Sequence, residues 1–159
     1  MNMTEAIQEA YAYADHDVSI FETFELTHTS WESSIKIVDS PTSISTTEGT
    51  FLPVTMDATI PETESSVRGQ MRLTVRFLNK TYREMLYSAA QYSDPIYIYY
   101  RQYIEGNADP QAELPVGLTV STIEFTDDAT VINALYPDLV NILICKRKMN
   151  VSNLPGCQI

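Results

Sequence analysis

Basic residues are scarce in this sequence, and their shortage excludes several classes of partner. Its 159 residues include 10 Lys and Arg against 21 Asp and Glu, which gives a formal net charge of -11 at pH 7. Binding to a phosphate backbone needs clustered Lys and Arg, and an anionic membrane surface attracts the same groups. We therefore expect no specific nucleic-acid binding and no attachment to a membrane surface.

Long apolar runs are also lacking. No run approaches the roughly 20 residues that a transmembrane helix needs, and residues 1–17 are acidic and lack the pattern of a secretory signal. We therefore predict a chain that is made and kept in the reducing cytosol. In that compartment Cys145 and Cys157, the two cysteines, are expected to be free thiols rather than a disulfide.

Residues that bind metals or cofactors are few. A structural zinc site needs four ligands, commonly at short spacings, and His16, His28, Cys145 and Cys157 form no such pair. An iron–sulfur cluster normally takes four cysteines, and this chain has 2. We predict no metal and no cofactor.

Motifs for catalysis are missing as well. The sequence has no G-x-S-x-G elbow, P-loop, G-x-G-x-x-G or EF-hand loop. Glu62 and Glu64 lie in a polar stretch and are interpreted as solvated charge rather than as a glycosidase pair. We predict that the protein is not an enzyme, with a hydrolase as the least favoured alternative.

Alternation of apolar and polar residues predicts most of the chain to be strand. Predicted strands cover residues 20–26, 35–38, 51–60, 70–78, 96–104, 118–125 and 130–135. Pro53 places the start of the third strand at a sheet edge or bulge. Residues 61–69 and 106–117 are predicted loops, residues 42–50 fit either a loop or weak edge pairing, and residues 139–145 fit either a strand or a short helix.

Two segments have helical periodicity. Residues 3–14 carry an apolar stripe behind Thr4 and Glu5. Residues 79–92 repeat apolar side chains at Tyr82, Met85, Leu86 and Ala89, and Thr81 with Glu84 matches a capping box.

This order of elements predicts a mainly β fold of the α+β type. We expect a β-sandwich or partly closed barrel of about seven or eight strands with a flanking helix. The predicted organisation is an N-terminal helical segment (1–17), one β-rich domain (18–149) and a C-terminal tail (150–159).

Tyrosines concentrate on one predicted strand and form the candidate interface. Tyr97, Tyr99 and Tyr103 share a face of this strand, with Arg101 between the last two. Tyr is favoured at protein interfaces because it combines a large ring with a polar tip. The alternatives are rings that complete the core and a sugar-binding face. Trp31 is added to these candidate contact residues.

The order of several short motifs resembles the minor-tail protein family of long-tailed, non-contractile bacteriophages. The motifs are Leu26-Thr27-His28 with Trp31, Ile35-Lys36-Ile37-Val38-Asp39, Phe51-Leu52-Pro53-Val54, Arg72-Leu73-Thr74-Val75, Asn79 with Arg83-Glu84-Met85-Leu86, Leu135-Tyr136-Pro137-Asp138-Leu139 with Asn141, Arg147, and Leu154-Pro155-Gly156. The resemblance covers about the last four-fifths of the chain.

The resemblance implies a virion protein of the phage tail tip, assembled in the host cytoplasm. It implies a tail-tube-like β-sandwich or barrel, related to the tail-tip L protein of lambda-like phages and to distal tail proteins. The expected assembly is a ring of six or a trimeric hub that joins the tail tube to the tip and fibres. The expected partners are tail-tube, tape-measure and tip or hub proteins. Some relatives carry a cysteine-rich extension for an iron–sulfur cluster, which is not carried over to this chain.

A ring of this kind requires surfaces that pair with other copies. A heterologous contact that closes makes a cyclic oligomer, and exposed strand edges invite main-chain pairing between neighbours. The excess of acidic side chains would suit a lumen through which DNA slides without sticking. A carbohydrate-binding β-sandwich module is the alternative function.

Overall fold

The computed structural model describes residues 2–13, 19–60, 70–76, 78–114 and 116–137. These residues include two helices, α1 (Glu5–Tyr13) and α2 (Lys80–Ala89). The strands are β1 (Asn2–Met3), β2 (Ile20–Thr27), β3 (Ile35–Asp39), β4 (Ile44–Thr46), β5 (Gly49–Thr59), β6 (Gln70–Arg76), β7 (Tyr97–Ile104), β8 (Ala112–Glu113), β9 (Leu118–Phe125) and β10 (Ala129–Leu135).

Seven of the strands form a closed barrel, in the order β7-β2-β3-β5-β6-β10-β9 and back to β7. The pairing of β3 with β5 is parallel and the other pairings of the circuit are antiparallel. Three short strands lie outside the circuit: β8 pairs with β7, β1 pairs with β8, and β4 pairs with β5. The prediction of a mainly β fold with a flanking helix is confirmed.

Alternation along the barrel strands sends one set of side chains inward, as the pleat requires. On β6, Met71, Leu73 and Val75 are fully buried, whereas Arg72 and Arg76 between and beyond them are exposed. The same pattern holds on β7, where Ile98 and Tyr100 point into the core. The barrel interior is therefore filled by side chains, as expected for a small barrel.

Helix α2 covers one end of the barrel with the stripe that the sequence predicted. Leu86 and Ala89 are buried in the core, and Tyr82 and Met85 pack at its edge. The indole N–H of Trp31, in the turn after β2, donates a hydrogen bond to the Met85 carbonyl at 3.3 Å. This contact ties the helix to the strands.

The start of α2 differs from the predicted capping box. Asn79 is the N-cap, and its side-chain oxygen accepts a hydrogen bond from the Thr81 backbone N–H at 2.9 Å. An N-cap Asn satisfies an otherwise unpaired N–H of the first turn as well as Ser or Thr does. The prediction of Thr81 and Glu84 as the capping pair is wrong, because the N-cap lies two residues earlier than Thr81, at Asn79.

Helix α1 is joined to the barrel near the end of β7. Ile7 is fully buried, and the Tyr11 hydroxyl accepts a hydrogen bond from the Gln102 amide at 3.0 Å. The same amide donates to Tyr100, whose hydroxyl donates to Glu22. Burial and the nearby Glu22 carboxylate raise the pKa of Tyr100, so its hydroxyl stays a donor at neutral pH.

Short strands lie in residues 42–50, which the sequence predicted as a loop or weak edge pairing, and in the predicted loop 106–117. Residues 42–50 hold β4, which turns into β5 at Gly49, where φ is 120°, a conformation that favours glycine. Residues 106–117 hold β8. Pro53 pairs with Val38 of β3, and the described registers give it no partner on its other side, in β4 or β6. This agrees with the prediction that Pro53 lies at a sheet edge or bulge. The predicted features in residues 61–69, 139–145 and 150–159, with His16, Cys145 and Cys157, lie outside the described residues.

Replacing one inward leucine tests the core. Leu73→Ala truncates a side chain that is 0% exposed and leaves a cavity in the core. It is expected to lower the free energy of unfolding by about 2–5 kcal/mol. The matched control is Leu135→Ala, which removes a side chain that is 39% exposed and should cost less than about 1 kcal/mol. Urea unfolding followed by the fluorescence of Trp31, the single tryptophan, measures both. Equal losses would contradict the assignment of Leu73 to the core.

Candidate functional site

The outer side of β7 carries the tyrosines that the sequence predicted as an interface, together with one carboxylate. Tyr97 and Tyr99 are 38% and 36% exposed. Arg101 follows on the same side, and Glu113 of β8 lies directly opposite Arg101 in the register. We call Tyr97, Tyr99, Arg101 and Glu113 the tyrosine face.

The ring of Tyr99 is held from two sides. A Cβ built on Gly117 would come within 2.8 Å of a Tyr99 ring carbon, so the ring lies directly on this glycine. The Arg101 guanidinium sits 5.7 Å from the centre of the ring, within range of a cation–π interaction. The Tyr99 ring is therefore half-exposed and fixed in place, as a preorganised contact residue would be.

Arg101 is oriented by carboxylates on both sides. Its Nη1 donates to Glu25 Oε2 at 2.7 Å, and its Nε lies 3.7 Å from Glu113 Oε2. Glu25 also accepts a hydrogen bond from Ser34 Oγ at 2.7 Å and lies 3.6 Å from Lys36 Nζ. The guanidinium is thus part of an ion-pair cluster on the barrel wall.

The pKa of Glu25 reflects this cluster. Burial alone would raise it, but the hydrogen bonds from Arg101 and Ser34 and the charge of Lys36 hold the pKa of this carboxyl below its usual range. The ionised carboxylate is therefore favoured in the folded chain.

Tyr103 and Trp31 are placed differently from the other candidates. Tyr103 is 1% exposed and packs with Phe51 and Val38 under β4. Trp31 is half-buried against the core and hydrogen-bonded to α2. The idea that Tyr103 presents a ring for contact is corrected, because the β4–β5 hairpin covers it. A contact role for Tyr97, Tyr99 and Arg101 stays a prediction.

A second exposed face lies on β6, and the sequence interpretation did not single it out. Arg72 and Arg76 point outward, and among the described residues neither forms an ion pair. Their neighbours in the register are Thr59 and Asn133 for Arg72, and Thr55 and Ala129 for Arg76. We call the outer side of β6 with these neighbours the arginine face. The alternation of residues 70–76 in the sequence was the available signal.

An apolar groove lies beside α2. It is lined by Leu78, Lys80, Arg83, Glu84, Tyr87 and Phe125, with a volume of about 530 Å³. The Arg83 guanidinium lies 5.7 Å from the centre of the Phe125 ring and donates to the Thr126 carbonyl at 2.8 Å. Tyr87, 63% exposed, forms its outer wall. The charged residues of the lining are Lys80, Arg83 and Glu84.

His28 links the turn after β2 to the segment before β7. Its Nδ1 accepts from the Ser30 backbone N–H at 3.2 Å and lies 2.7 Å from Ser30 Oγ. Its Nε2 lies 3.2 Å from the Asp94 carbonyl. This geometry assigns the proton to Nε2, which donates to Asp94. Because His28 and Ser30 form hydrogen bonds within a single turn, we interpret the pair as stabilising that turn.

The described residues contain no group of three or more His, Cys, Asp or Glu side chains placed to hold a metal ion. Within the same residues, neither helix is long and apolar enough to cross a membrane.

Comparison with known proteins gives a family. The sequence model described as "Domain of unknown function (DUF1833)" matches residues 6–148. This range contains the whole barrel, both exposed faces and most of α1. No curated protein matches the chain at a significant level.

Removing the Glu25 carboxylate tests the cluster. Glu25→Gln is expected to lower the free energy of unfolding at pH 7 by about 1–3 kcal/mol, because Lys36 loses its carboxylate partner and Arg101 keeps only the longer contact with Glu113. Since the pKa of Glu25 is lowered on folding, its stabilisation is complete above the unfolded pKa of about 4.3 and is lost as pH falls through the folded value. The difference between variant and wild type should therefore shrink below about pH 4.

Urea unfolding from pH 3 to pH 7 measures this difference. Glu124→Gln changes an exposed carboxylate on β9 and is the control, with an expected effect within about 0.5 kcal/mol. Equal stability of Glu25→Gln and wild type at pH 7 would show that the cluster does not stabilise the barrel.

Proposed function

We propose that this chain, which belongs to the DUF1833 family, is a structural subunit of a bacteriophage tail tip. It forms a ring or hub that joins the tail tube to the tip and fibres. The family description states no function, so the proposal depends on the resemblance of the sequence motifs and on the geometry of the chain.

The observation that carries the proposal is the barrel itself. The resemblance to minor-tail proteins implied a β-sandwich or barrel with a flanking helix. The chain has a closed barrel of seven strands with α2 across one end. A fold supports many functions, so this agreement supports the proposal together with the order of the motifs and not by itself.

Closure of the barrel changes how copies would associate. Among the residues that the structure describes, only β1, β4 and β8 lie outside the circuit, and each has 2 or 3 residues. Edges this short offer little main-chain pairing to a neighbour. Contacts between copies would therefore depend mainly on exposed side chains. Because the barrel interior is filled, any channel for DNA would be the centre of a ring of copies and not the barrel.

A carbohydrate-binding module is the second candidate, and one observation favours it. Tyr97 and Tyr99 present two neighbouring rings on one strand, and Tyr99 is fixed by Gly117 and Arg101. Fixed aromatic rings can also stack on a sugar. Because Tyr103 is buried, the tyrosine face offers two rings to a sugar instead of the three that the sequence suggested.

The mass and shape of the protein in solution test the proposed function. Light scattering over a range of protein concentrations, combined with negative-stain microscopy, should show closed rings of three or six copies. A chain that stays monomeric alone and after addition of tail-tube, tape-measure and hub proteins would contradict the proposal. Binding on a glycan array that is lost in Tyr97→Ala would then favour the carbohydrate module.

A further inference from the structure

We infer that the tyrosine face of one copy docks onto the arginine face of the next copy. This inference rests on the proposed function, because it names the contact by which the subunits of the ring would meet. It commits to one partner for both faces, which is a second copy of this chain.

The two faces lie on opposite sides of the barrel. In the closed circuit, β7 is three strands away from β6 by way of β9 and β10, and four strands away by way of β2, β3 and β5. In this seven-membered circuit, β7 and β2 are the two strands farthest from β6. One molecule can therefore present both faces at once, each to a different neighbour. A contact between unlike faces is heterologous, as a ring requires.

The chemistry of the two faces is complementary. The arginine face offers two exposed guanidinium groups, with the exposed Asp57 of β5 paired opposite Thr74 between them. The tyrosine face offers two exposed rings and the half-exposed Glu113 carboxylate. Arg pairs with a carboxylate in a bidentate arrangement and stacks on aromatic rings. Tyr and Arg are also the residues most enriched among energetically dominant contacts at interfaces.

The overall charge distribution favours the same pairing. Next to the tyrosine face, in the segment from the end of β7 to β8, the exposed charges are acidic, at Glu105, Asp109 and Glu113. The cations of that side, Lys36 and Arg101, are already bound to Glu25. A second copy would therefore meet a negative surface there, which attracts the arginines of β6 and repels a like face.

The spacing along the strands matches as well. Arg72 and Arg76 are four residues apart on β6, a distance of about 13 Å at the usual rise per residue. Tyr97 and Arg101 are also four residues apart on β7, and Glu113 is paired opposite Arg101. One arginine can therefore reach Glu113 while the other stacks over Tyr97. Leu135, 39% exposed beside Gln70, adds apolar surface to the arginine face.

Two variants that each remove one face provide the test. Arg72→Glu with Arg76→Glu reverses the arginine face and leaves the tyrosine face intact. Tyr97→Ala with Glu113→Lys removes the tyrosine face and leaves the arginine face intact. We expect each variant to be monomeric by light scattering at concentrations where the wild type assembles. Mixed in equal amounts, they should form a 1:1 dimer and nothing larger, because only one intact pair of unlike faces remains.

Matched controls alter similar residues away from both faces. Lys80→Glu reverses a cation whose side chain is 87% exposed on α2, and Tyr87→Ala removes a tyrosine ring that is 63% exposed. Both should assemble like the wild type. Urea unfolding checks that the variants are folded. If either double variant is unfolded, the milder pair Arg72→Gln and Tyr97→Ser is used in the same mixing experiment.

The outcomes separate this contact from the proposed function. If the wild type assembles and the folded double variants assemble equally well, the contact is overturned while the ring proposal stands. If one of the two double variants still forms a symmetric dimer by itself, the contact joins two identical faces, and the inference is also overturned. If the wild type is monomeric and the mixture yields no dimer, both the contact and self-assembly are contradicted.

Discussion

Closure of the sheet by β7 and β9 is the constraint on which the rest of the structure depends. The two strands pair at Tyr97 with Thr119 and at Ile98 with Leu118. Farther along β7, the same edge of the strand pairs with β8, at Arg101 and Gln102. Gly117 lies between these two pairings, where the Tyr99 ring covers it. The seam that closes the barrel therefore also positions the tyrosine face.

Closure has a second consequence, because it removes the long strand edges through which β proteins associate most readily. The surfaces left for association are therefore exposed side chains, and these lie on different strands of the barrel. The arginines of β6 and the tyrosines of β7 point away from each other across a filled core.

The sequence predicted the strands of the barrel because alternation is strong wherever one face is buried, as on β6. It did not predict whether the sheet closes, since closure depends on the register between β7 and β9 and leaves no local pattern. Tyr97 and Tyr103 share a face of β7 by spacing alone, but β4 covers only Tyr103. The arginine face was missed because two outward arginines on a strand look like ordinary solvated charge until their position opposite β7 is known.

A cryo-electron microscopy map of the assembled protein would show whether unlike faces of this chain meet. We expect a cyclic oligomer in which the outer side of β7 in one copy packs against the outer side of β6 in the next, with Tyr97 and Glu113 at the arginines. A map in which a two-fold axis relates identical faces, or in which β6 faces solvent or the bore, would contradict it.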